Sequence, residues 1–141
     1  MASKANRDVI LLPIFPKYAN AIFEGKKKVE FRKLNIPQNI NYVVVYSTAP
    51  TQKIVGYFKV EQITIDSPNK LWNLFKNVAG IEKNLLMEYY SGHEQGIAIH
   101  VGEFIKLSTP INLDIIEDEL APPQSFKYLE DEHFNRIKAY L

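Results

Sequence analysis

The chain contains no cysteine among its 141 residues. This absence excludes disulfide bonds, thiolate nucleophiles and zinc sites built on cysteine. The three histidines, His93, His100 and His133, do not occur at the spacing of a metal-binding motif such as HExxH. The serine-hydrolase motif GxSxG, the dinucleotide-binding motif GxGxxG and the phosphate-binding loop motif are absent as well. We therefore expect no metal site and no bound cofactor.

Long hydrophobic runs are also missing. No apolar stretch approaches the roughly 20 residues that a membrane-spanning helix needs, and the opening MASKANRD lacks the apolar core of a secretion signal. We expect a cytoplasmic protein with no membrane partner. The hydrophobic share of 46% and the charged share of 23% are typical of a globular protein. The length predicts one domain over residues 1–141, with its core at about 8–130.

Five runs of apolar and β-branched residues predict β-strands. These are DVILLPI, KKKVEFRKL, NYVVVYST, KIVGYFKVEQITI with a bend at Gly56, and QGIAIHVGEFIKL with a break at Gly102. Because the strands do not alternate regularly with helices, the pattern indicates an α+β fold with a mainly antiparallel, strongly bent sheet or small barrel.

Helical spacing of apolar residues occurs in four other segments. The predicted helices are PKYANAIFEG ending at Gly25, SPNKLWNLFKNV with Ser67 as N-cap, IEKNLLMEYYSG ending at Gly92, and a C-terminal helix over about 131–141 that Asp131 caps. In the second helix Leu71, Leu74, Phe75 and Val78 are expected to form one apolar stripe, and in the last helix Phe134, Ile137 and Leu141 share a face.

The formal net charge of +1 is low for a domain that coats nucleic acid without sequence preference. The charge is nevertheless uneven. Between residues 17 and 33 there are six Lys or Arg residues and two Glu, whereas residues 114–119 hold four acids and no base. The acidic group, Asp114, Glu117, Asp118 and Glu119, could bind a cation, but its spacing favours a solvated turn. Any electrostatic function is therefore expected to be local.

The segment GKKKVEFRK, residues 25–33, holds most of the positive charge. Alternation along a strand places Val29 and Phe31 on the core side and Lys28, Glu30 and Arg32 on the other. Lys27 joins the same site only if the chain turns near Gly25. Two interpretations follow from these residues alone: the charges lie in solvent at a strand edge, or they line a pocket for an anionic or nucleotide-like ligand.

The segment IFEGKKKVEFRK resembles the signature of the ASCH domain family, a branch of the PUA-like superfamily. The signature Gly-x-Lys-x-x-Glu-x-Arg is matched by Gly25, Lys27, Glu30 and Arg32. The flanking segments VVVYSTAPTQKIVGYFKVEQI and PPQSFKYL are similar to later parts of the same family, so the resemblance covers about residues 8–130.

The resemblance implies a compact PUA-like β-barrel with flanking helices and a cleft lined by the signature. It implies binding of RNA or a nucleotide-like small molecule, often in translation-related regulation. Lys27 and Arg32 would contact phosphate or carbonyl groups, and Glu30 would accept a hydrogen bond from a base. Weaker candidates, placed in loops by the resemblance, are Tyr46, Ser47, Gln124 and Ser125.

One subfamily of similar proteins implies an enzyme instead, an amidohydrolase that removes acetyl from N4-acetylcytidine with a Lys, a Thr and a Glu. Lys27 matches the lysine of that set, whereas Glu30 occupies the threonine position, and LFKNVAG offers no acid for the third role. In this alternative Lys27 and Glu30 are the catalytic candidates, with Glu30 as general base for water.

Overall fold

The computed structural model describes residues 8–140. Within these residues the chain forms six β-strands, four α-helices and one short 3-10 helix. The strands are β1 Val9–Ile14, β2 Val29–Arg32, β3 Tyr42–Ser47, β4 Lys53–Asp66, β5 Gly96–Ile111 and β6 Lys127–Tyr128. The helices are α1 Pro16–Phe23, α2 Pro68–Phe75, α3 Lys83–Tyr89 and α4 Asp131–Lys138, with the 3-10 helix at Leu113–Ile115.

All six strands join one sheet in the order β2-β5-β4-β3-β1-β6. The pair β1–β3 is parallel and the other pairs are antiparallel. The strands curl into a half-barrel, so the predicted α+β class with a bent, barrel-like sheet is confirmed, and β2 and β6 stand at the two ends of the strand order.

The bend comes from shifts in strand register along β4. One shift lies between Ile54 and Gly56, where a bend was predicted, and a Cβ on Gly56 would stand only 2.4 Å from the carbonyl oxygen of Ile105. The irregularity predicted at Gly102 is present as a register shift within a continuous strand, because Phe58 pairs with Phe104 whereas Val60 pairs with Val101. Between these two pairs β4 has one residue, Lys59, and β5 has two, Gly102 and Glu103.

Both faces of β1 are covered, which explains its unbroken apolar sequence. Ile10 and Leu12 belong to the core cluster beneath α1, whereas Val9 and Leu11 belong to a second cluster that includes residues of α4. A third, smaller cluster joins β2 to α2 and α3. The helices between β4 and β5 are thereby fixed against the strand that carries the charged signature.

The helix predictions need three corrections. In α2, Ser67 caps the N-terminus as predicted by accepting a hydrogen bond from the Lys70 N–H, but Leu74 is 60% exposed and leaves the apolar stripe. Helix α3 ends at Tyr89, before Gly92. Helix α4 is capped by Glu130 and not by Asp131, which is its first residue.

The C-terminal prediction is confirmed in its apolar face, since Phe134 and Ile137 are buried, while Leu141 lies outside the described residues. Across residues 8–140, none of the helices is both long and apolar enough to cross a membrane.

Candidate functional site

A turn at the end of α1 brings Lys27 to the site. Gly25 has a φ of +77°, in the left-handed region that glycine adopts without steric cost. The N–H groups of Lys26 and Lys27 both donate to the carbonyl oxygen of Ala21, at 3.0 Å. The chain therefore turns near Gly25, which is the condition under which Lys27 was predicted to join Glu30 and Arg32. It separates the lysines, because Lys26 and Lys28 are exposed whereas Lys27 is buried.

The Lys27 ammonium group is held in an enclosed environment. Its Nζ donates to the carbonyl oxygen of Ala79 at 2.6 Å, and it lies 5.4 Å and 5.2 Å from the ring centroids of Tyr18 and Phe31. Burial lowers the pKa of Lys27, and the neighbouring Glu30 opposes this shift by favouring the charged form. The cation is thus retained in a nearly dry site by a carbonyl, a carboxylate and aromatic faces.

Glu30 lies between two cations. Its Oε1 is 3.6 Å from Lys27 Nζ, and its Oε2 accepts from Arg32 Nε at 3.0 Å and forms an ion pair with Arg32 Nη2 at 2.9 Å. Arg32 Nη2 also donates to the carbonyl oxygen of Pro13. We call Lys27, Glu30 and Arg32 the charged triad. It carries one net positive charge and is largely withdrawn from solvent.

The strand alternation predicted an outer face for Lys28, Glu30 and Arg32, and the structure separates these residues. Lys28 is exposed, Arg32 is partly buried, and Glu30 is only 6% exposed although its neighbours Val29 and Phe31 face the core. Both faces of β2 are covered here, because the segments on either side of the strand build a cleft above the outer face. The solvated-edge interpretation therefore does not describe the triad.

The cleft has a volume of about 760 Å³. The charged triad lies in its lining, together with the end of β1, the start of α1, one side of α3 and a C-terminal segment that we call the strap, residues 121–126. The lining residues are Pro13, Ile14, Phe15, Tyr18, Lys27, Glu30, Phe31, Arg32, Lys33, Thr48, Ile81, Leu85, Leu86, Glu88, Tyr89, Pro122, Pro123 and Gln124.

Aromatic rings stand in the wall of the cleft. Phe15 is 66% exposed and its ring centroid is 6.3 Å from that of Tyr18. On the α3 side, Tyr89 is 37% exposed and Lys33 Nζ lies 4.7 Å from its ring centroid. The cleft thus combines a charged floor with partly open aromatic faces, the two features with which proteins hold unpaired nucleotides.

The structure distributes the weaker sequence candidates differently. Gln124 lines the cleft. Ser125 stands beside it in the strap and accepts a hydrogen bond from Asn35 Nδ2 at 2.8 Å. Tyr46 and Ser47 are buried at the end of β3, where Tyr46 packs in a core cluster and burial raises its pKa. The cleft therefore brings together four of the seven predicted site residues: Lys27, Glu30, Arg32 and Gln124.

Several cleft residues were missed by sequence reasoning: Phe15, Tyr18, Thr48, Glu88 and Tyr89. Phe15 had one signal, since an aromatic residue between Pro13 and Pro16 has no regular element in which to be buried. The others come from elements that meet only in the folded chain, so their contribution to one cleft could not be read from local pattern.

No metal site coincides with the cleft among the described residues. The acidic group at residues 114–119 is exposed, in agreement with a solvated turn. Three side chains that could ligate a metal do come together elsewhere, at the start of α4: Glu130, Glu132 and His133. His133 Nδ1 there accepts from the Glu130 N–H at 3.3 Å, which is an ordinary helix-capping contact.

Similar proteins extend over nearly the whole chain. An ASCH domain-containing ribonuclease of Zymomonas mobilis is 28% identical in an alignment that covers 97% of this chain and 95% of that protein. A Ureaplasma parvum protein named as large ribosomal subunit protein uL22 is 29% identical over 125 residues, but these are 87% of this chain and only 40% of that one.

Solved structures agree with the fold. A crystal structure of ASCH from Z. mobilis superposes with a TM-score of 0.87 at 28% identity, covering 95% of this chain and 96% of that one. Structures of its serine-to-alanine and tyrosine-to-phenylalanine variants superpose with TM-scores of 0.88 and 0.84. The N-terminal domain of Staphylothermus marinus McrB has the same fold at only 10% identity, with a TM-score of 0.60. The ASCH domain family model matches residues 12–110, and the chain therefore belongs to the ASCH domain family.

Proposed function

We propose that this protein binds RNA and that the cleft holds an unpaired nucleotide. The observation that carries the proposal is the charged triad, with Lys27 and Glu30 buried and Arg32 partly buried at the floor of a cleft that has partly exposed aromatic rings in its wall. Burying three charged side chains is costly unless they are paired. These three side chains are paired with one another, and a ligand that forms hydrogen bonds with them would give the triad a binding role.

The aromatic wall favours single-stranded RNA. A base in a duplex is stacked and paired, whereas an unpaired base offers a face to a ring such as that of Phe15 or Tyr89. Stacking on a protein ring contributes about 1–3 kcal/mol per base. Lys33 at the Tyr89 ring adds a cation beside this face, where a backbone phosphate can approach it.

Binding can be measured by fluorescence anisotropy with a labelled single-stranded RNA octamer at low salt. We expect Arg32→Ala and Phe15→Ala to weaken binding about 10-fold, since each removes a contact worth roughly 1–3 kcal/mol. Lys26→Ala is the matched charge control, because its side chain is 75% exposed and lies outside the cleft lining. Phe104→Ala is the matched aromatic control, since this exposed ring lines a separate, smaller pocket. Equal affinity of all four variants would refute the proposal.

A second candidate function is RNA cleavage, which the name of the Z. mobilis relative favours. Cleavage through the ribose 2′-hydroxyl needs a group that accepts a proton, one that returns a proton to the leaving 5′-oxygen, and donors that stabilise the charged phosphate. Glu30, Lys27 and Arg32 offer one group of each kind. The products would be a 2′,3′-cyclic phosphate and a free 5′-hydroxyl.

The cleavage candidate is tested by incubating end-labelled RNA with the protein and resolving the fragments on a denaturing gel. Lys27→Met and Glu30→Gln should abolish the fragments if these groups act directly. Tyr46→Phe and Ser125→Ala belong in the same series, because the family resemblance marks both residues as candidates. Intact RNA after prolonged incubation, together with tight binding, would leave a binding protein only.

The amidohydrolase alternative can be distinguished from RNA binding and RNA cleavage by its substrate. Lys27 and Glu30 would act on the acetyl group of an N4-acetylcytidine-like nucleoside, with Glu30 as base for the attacking water. Chromatography of N4-acetylcytidine after incubation detects loss of acetyl, and turnover that Lys27→Ala abolishes would establish this enzyme. A role in translation-related regulation depends on which RNA is bound, and sequencing the RNA that copurifies with the protein tests it.

A further inference from the structure

Some donor and acceptor positions of the charged triad are not filled by the described residues. The order of these groups along the cleft floor indicates which ligand they could bind. Lys27 has three N–H donors, of which one goes to Ala79 and one is directed by the ion pair with Glu30. Arg32 has five, and Nε and Nη2 supply those used by Glu30 and Pro13. Within residues 8–140 no hydrogen-bond partner is found for Arg32 Nη1, which leaves its two N–H groups for a ligand.

Glu30 contributes an acceptor between these donors. Its Oε2 already receives both contacts from Arg32, whereas the only charged neighbour of Oε1 among the described residues is Lys27 at 3.6 Å. A carboxylate oxygen accepts two hydrogen bonds. The floor of the cleft therefore presents a donor, an acceptor and a donor in sequence: Lys27, Glu30 and Arg32.

This order disfavours phosphate at the floor. A phosphate that approached Arg32 in the bidentate manner would find two of its three nitrogens occupied and the Glu30 carboxylate beside it. The neutral edge of a base, with its own alternating donors and acceptors, matches the array without charge repulsion. Phosphate contacts then belong to Lys33, next to the Tyr89 ring.

The four RNA bases differ in how they meet a donor–acceptor–donor array. Uracil presents carbonyl O4, the N3–H donor and carbonyl O2, which is the full complement. Guanine matches with O6 and N1–H, but its 2-amino group would face a cation. Cytosine and adenine place an unprotonated ring nitrogen, N3 or N1, opposite the carboxylate of Glu30, where two acceptors repel each other.

We propose that the floor of the cleft recognises the Watson–Crick edge of uracil, with Glu30 accepting from N3–H and Lys27 and Arg32 donating to the two carbonyls. This assignment rests on the RNA-binding function proposed above and names the base that enters the cleft. The same edge exists on thymine, so the recognised chemistry is the imide edge and the sugar is a separate question.

The test compares affinities of labelled octamers: U8, C8, A8, and U8 methylated at N3 of every base. We expect U8 to bind at least about 10-fold more tightly than C8 or A8, since a matched pair of base contacts discriminates by about 1–3 kcal/mol. Methylation removes the N3–H and should cost as much as the exchange of U8 for C8. The DNA octamer dT8 should bind more tightly than dC8, because thymine presents the same Watson–Crick edge as uracil.

Substitutions in the protein provide a second test of the uracil assignment. Glu30→Gln replaces the acceptor by an amide that also donates, and we expect it to reduce the ratio of U8 to C8 affinity, whatever it does to either alone. Lys33→Ala is the control, because it should weaken all octamers alike and leave the ratio unchanged. If Glu30→Gln fails to fold, the methylated octamer still tests the acceptor without any substitution.

The two proposals fail in different ways. Equal affinities of U8, C8 and methylated U8, with clear binding of each, would overturn the uracil assignment and leave RNA binding in place. Absence of binding by every octamer would overturn RNA binding and the base assignment with it.

Discussion

The carbonyl oxygen of Ala79 lies 2.6 Å from Nζ of Lys27, across 52 residues of sequence. The next residue, Gly80, has a φ of +63°, and a Cβ at this position would stand 2.6 Å from Cβ of Lys27. One residue before Ala79, the carbonyl of Val78 accepts from the Lys28 N–H at 2.9 Å. Residues 78–80 of the loop between α2 and α3 therefore hold the buried lysine through their backbone, since these three residues offer no acidic side chain.

Gly80→Ala should displace Lys27 and weaken RNA binding about 10-fold, the equivalent of about 1.4 kcal/mol. It should also lower the free energy of unfolding by about 2–4 kcal/mol, from backbone strain at positive φ and from overlap with the lysine stem. Urea denaturation and anisotropy give both numbers.

Gly92→Ala is the matched control for this substitution. Gly92 has a φ of +81°, and a Cβ added there would meet no atom of the described residues within 4 Å, its chain neighbours aside. It should lose only the strain, about 1–2 kcal/mol, and bind RNA normally. If Gly80→Ala bound RNA as well as Gly92→Ala does, the loop would have no part in placing Lys27.

Tyr90→Phe removes a hydroxyl that donates to the backbone carbonyls of Arg32 at 2.9 Å and Ile97 at 3.3 Å. Because the ring is 2% exposed, the loss leaves buried carbonyls without this donor, and we expect the free energy of unfolding to fall by about 1–3 kcal/mol. Tyr140→Phe, at an exposed tyrosine, should change it by less than about 0.5 kcal/mol. Equal stability of Tyr90→Phe and the unsubstituted protein would show that these hydrogen bonds contribute nothing.

The stability of the protein should depend on His100 at mildly acidic pH. This half-buried side chain exchanges a 2.8 Å hydrogen bond with Thr64 Oγ1 and packs edge-on against Phe75. Burial lowers the pKa of His100 below 6.5, with Glu61 acting in the opposite direction. The unfolded chain then binds more protons than the folded protein below pH 6.5, so the stabilising contribution is present above this pH and is lost as the pH falls from 6.5 through the lower pKa of the folded state. In urea denaturation between pH 7.5 and 5, His100→Gln should lose less stability than the unsubstituted protein; an identical pH dependence would contradict the prediction.

A side-chain hydrogen bond should contribute to holding the strap against the loop after β2. Asn35 Nδ2 donates to Ser125 Oγ at 2.8 Å, and the adjoining residues Pro122–Gln124 line the cleft. A double-mutant cycle with Asn35→Ala and Ser125→Ala should give a coupling energy of about 0.5–1 kcal/mol, small because the contact is exposed. A coupling of zero would show that the strap is held by its proline and aromatic contacts instead.

Local pattern predicted which side chains line the cleft where a local feature determines the position of the side chain. Gly25 permitted the turn that places Lys27 beside Glu30, and the family signature marked Lys27, Glu30 and Arg32 together. The alternation of side chains along β2 predicted burial less well, because it assumes that one face of the strand is exposed to solvent. Here the walls of the cleft cover the outer side of Glu30. The strands and helices could also be predicted from local pattern, because the spacing of apolar residues within a segment indicates which of its faces is buried.

Residues that reach the cleft through tertiary contacts were not predictable in this way. Thr48 follows β3 and Tyr89 ends α3, and only the folded sheet brings both beside Lys27. Tyr46 and Ser47 illustrate the converse, because the family resemblance placed them in a loop whereas β3 continues to Ser47 and buries both. Hydrophobic periodicity contains no information about which distant segments close over a strand.

The position of β2 at one end of the strand order has a consequence for self-association. A strand there offers free backbone groups with which another molecule could pair, and inward-pointing charge is one means by which proteins make such pairing costly. Glu30 and Arg32 lie on this four-residue strand, and a second chain paired along it would bring its own side chains beside this ion pair. Glu30 and Arg32 would thus make pairing along this edge costly, and variants that neutralise the triad should be examined for aggregation before a loss of affinity is interpreted.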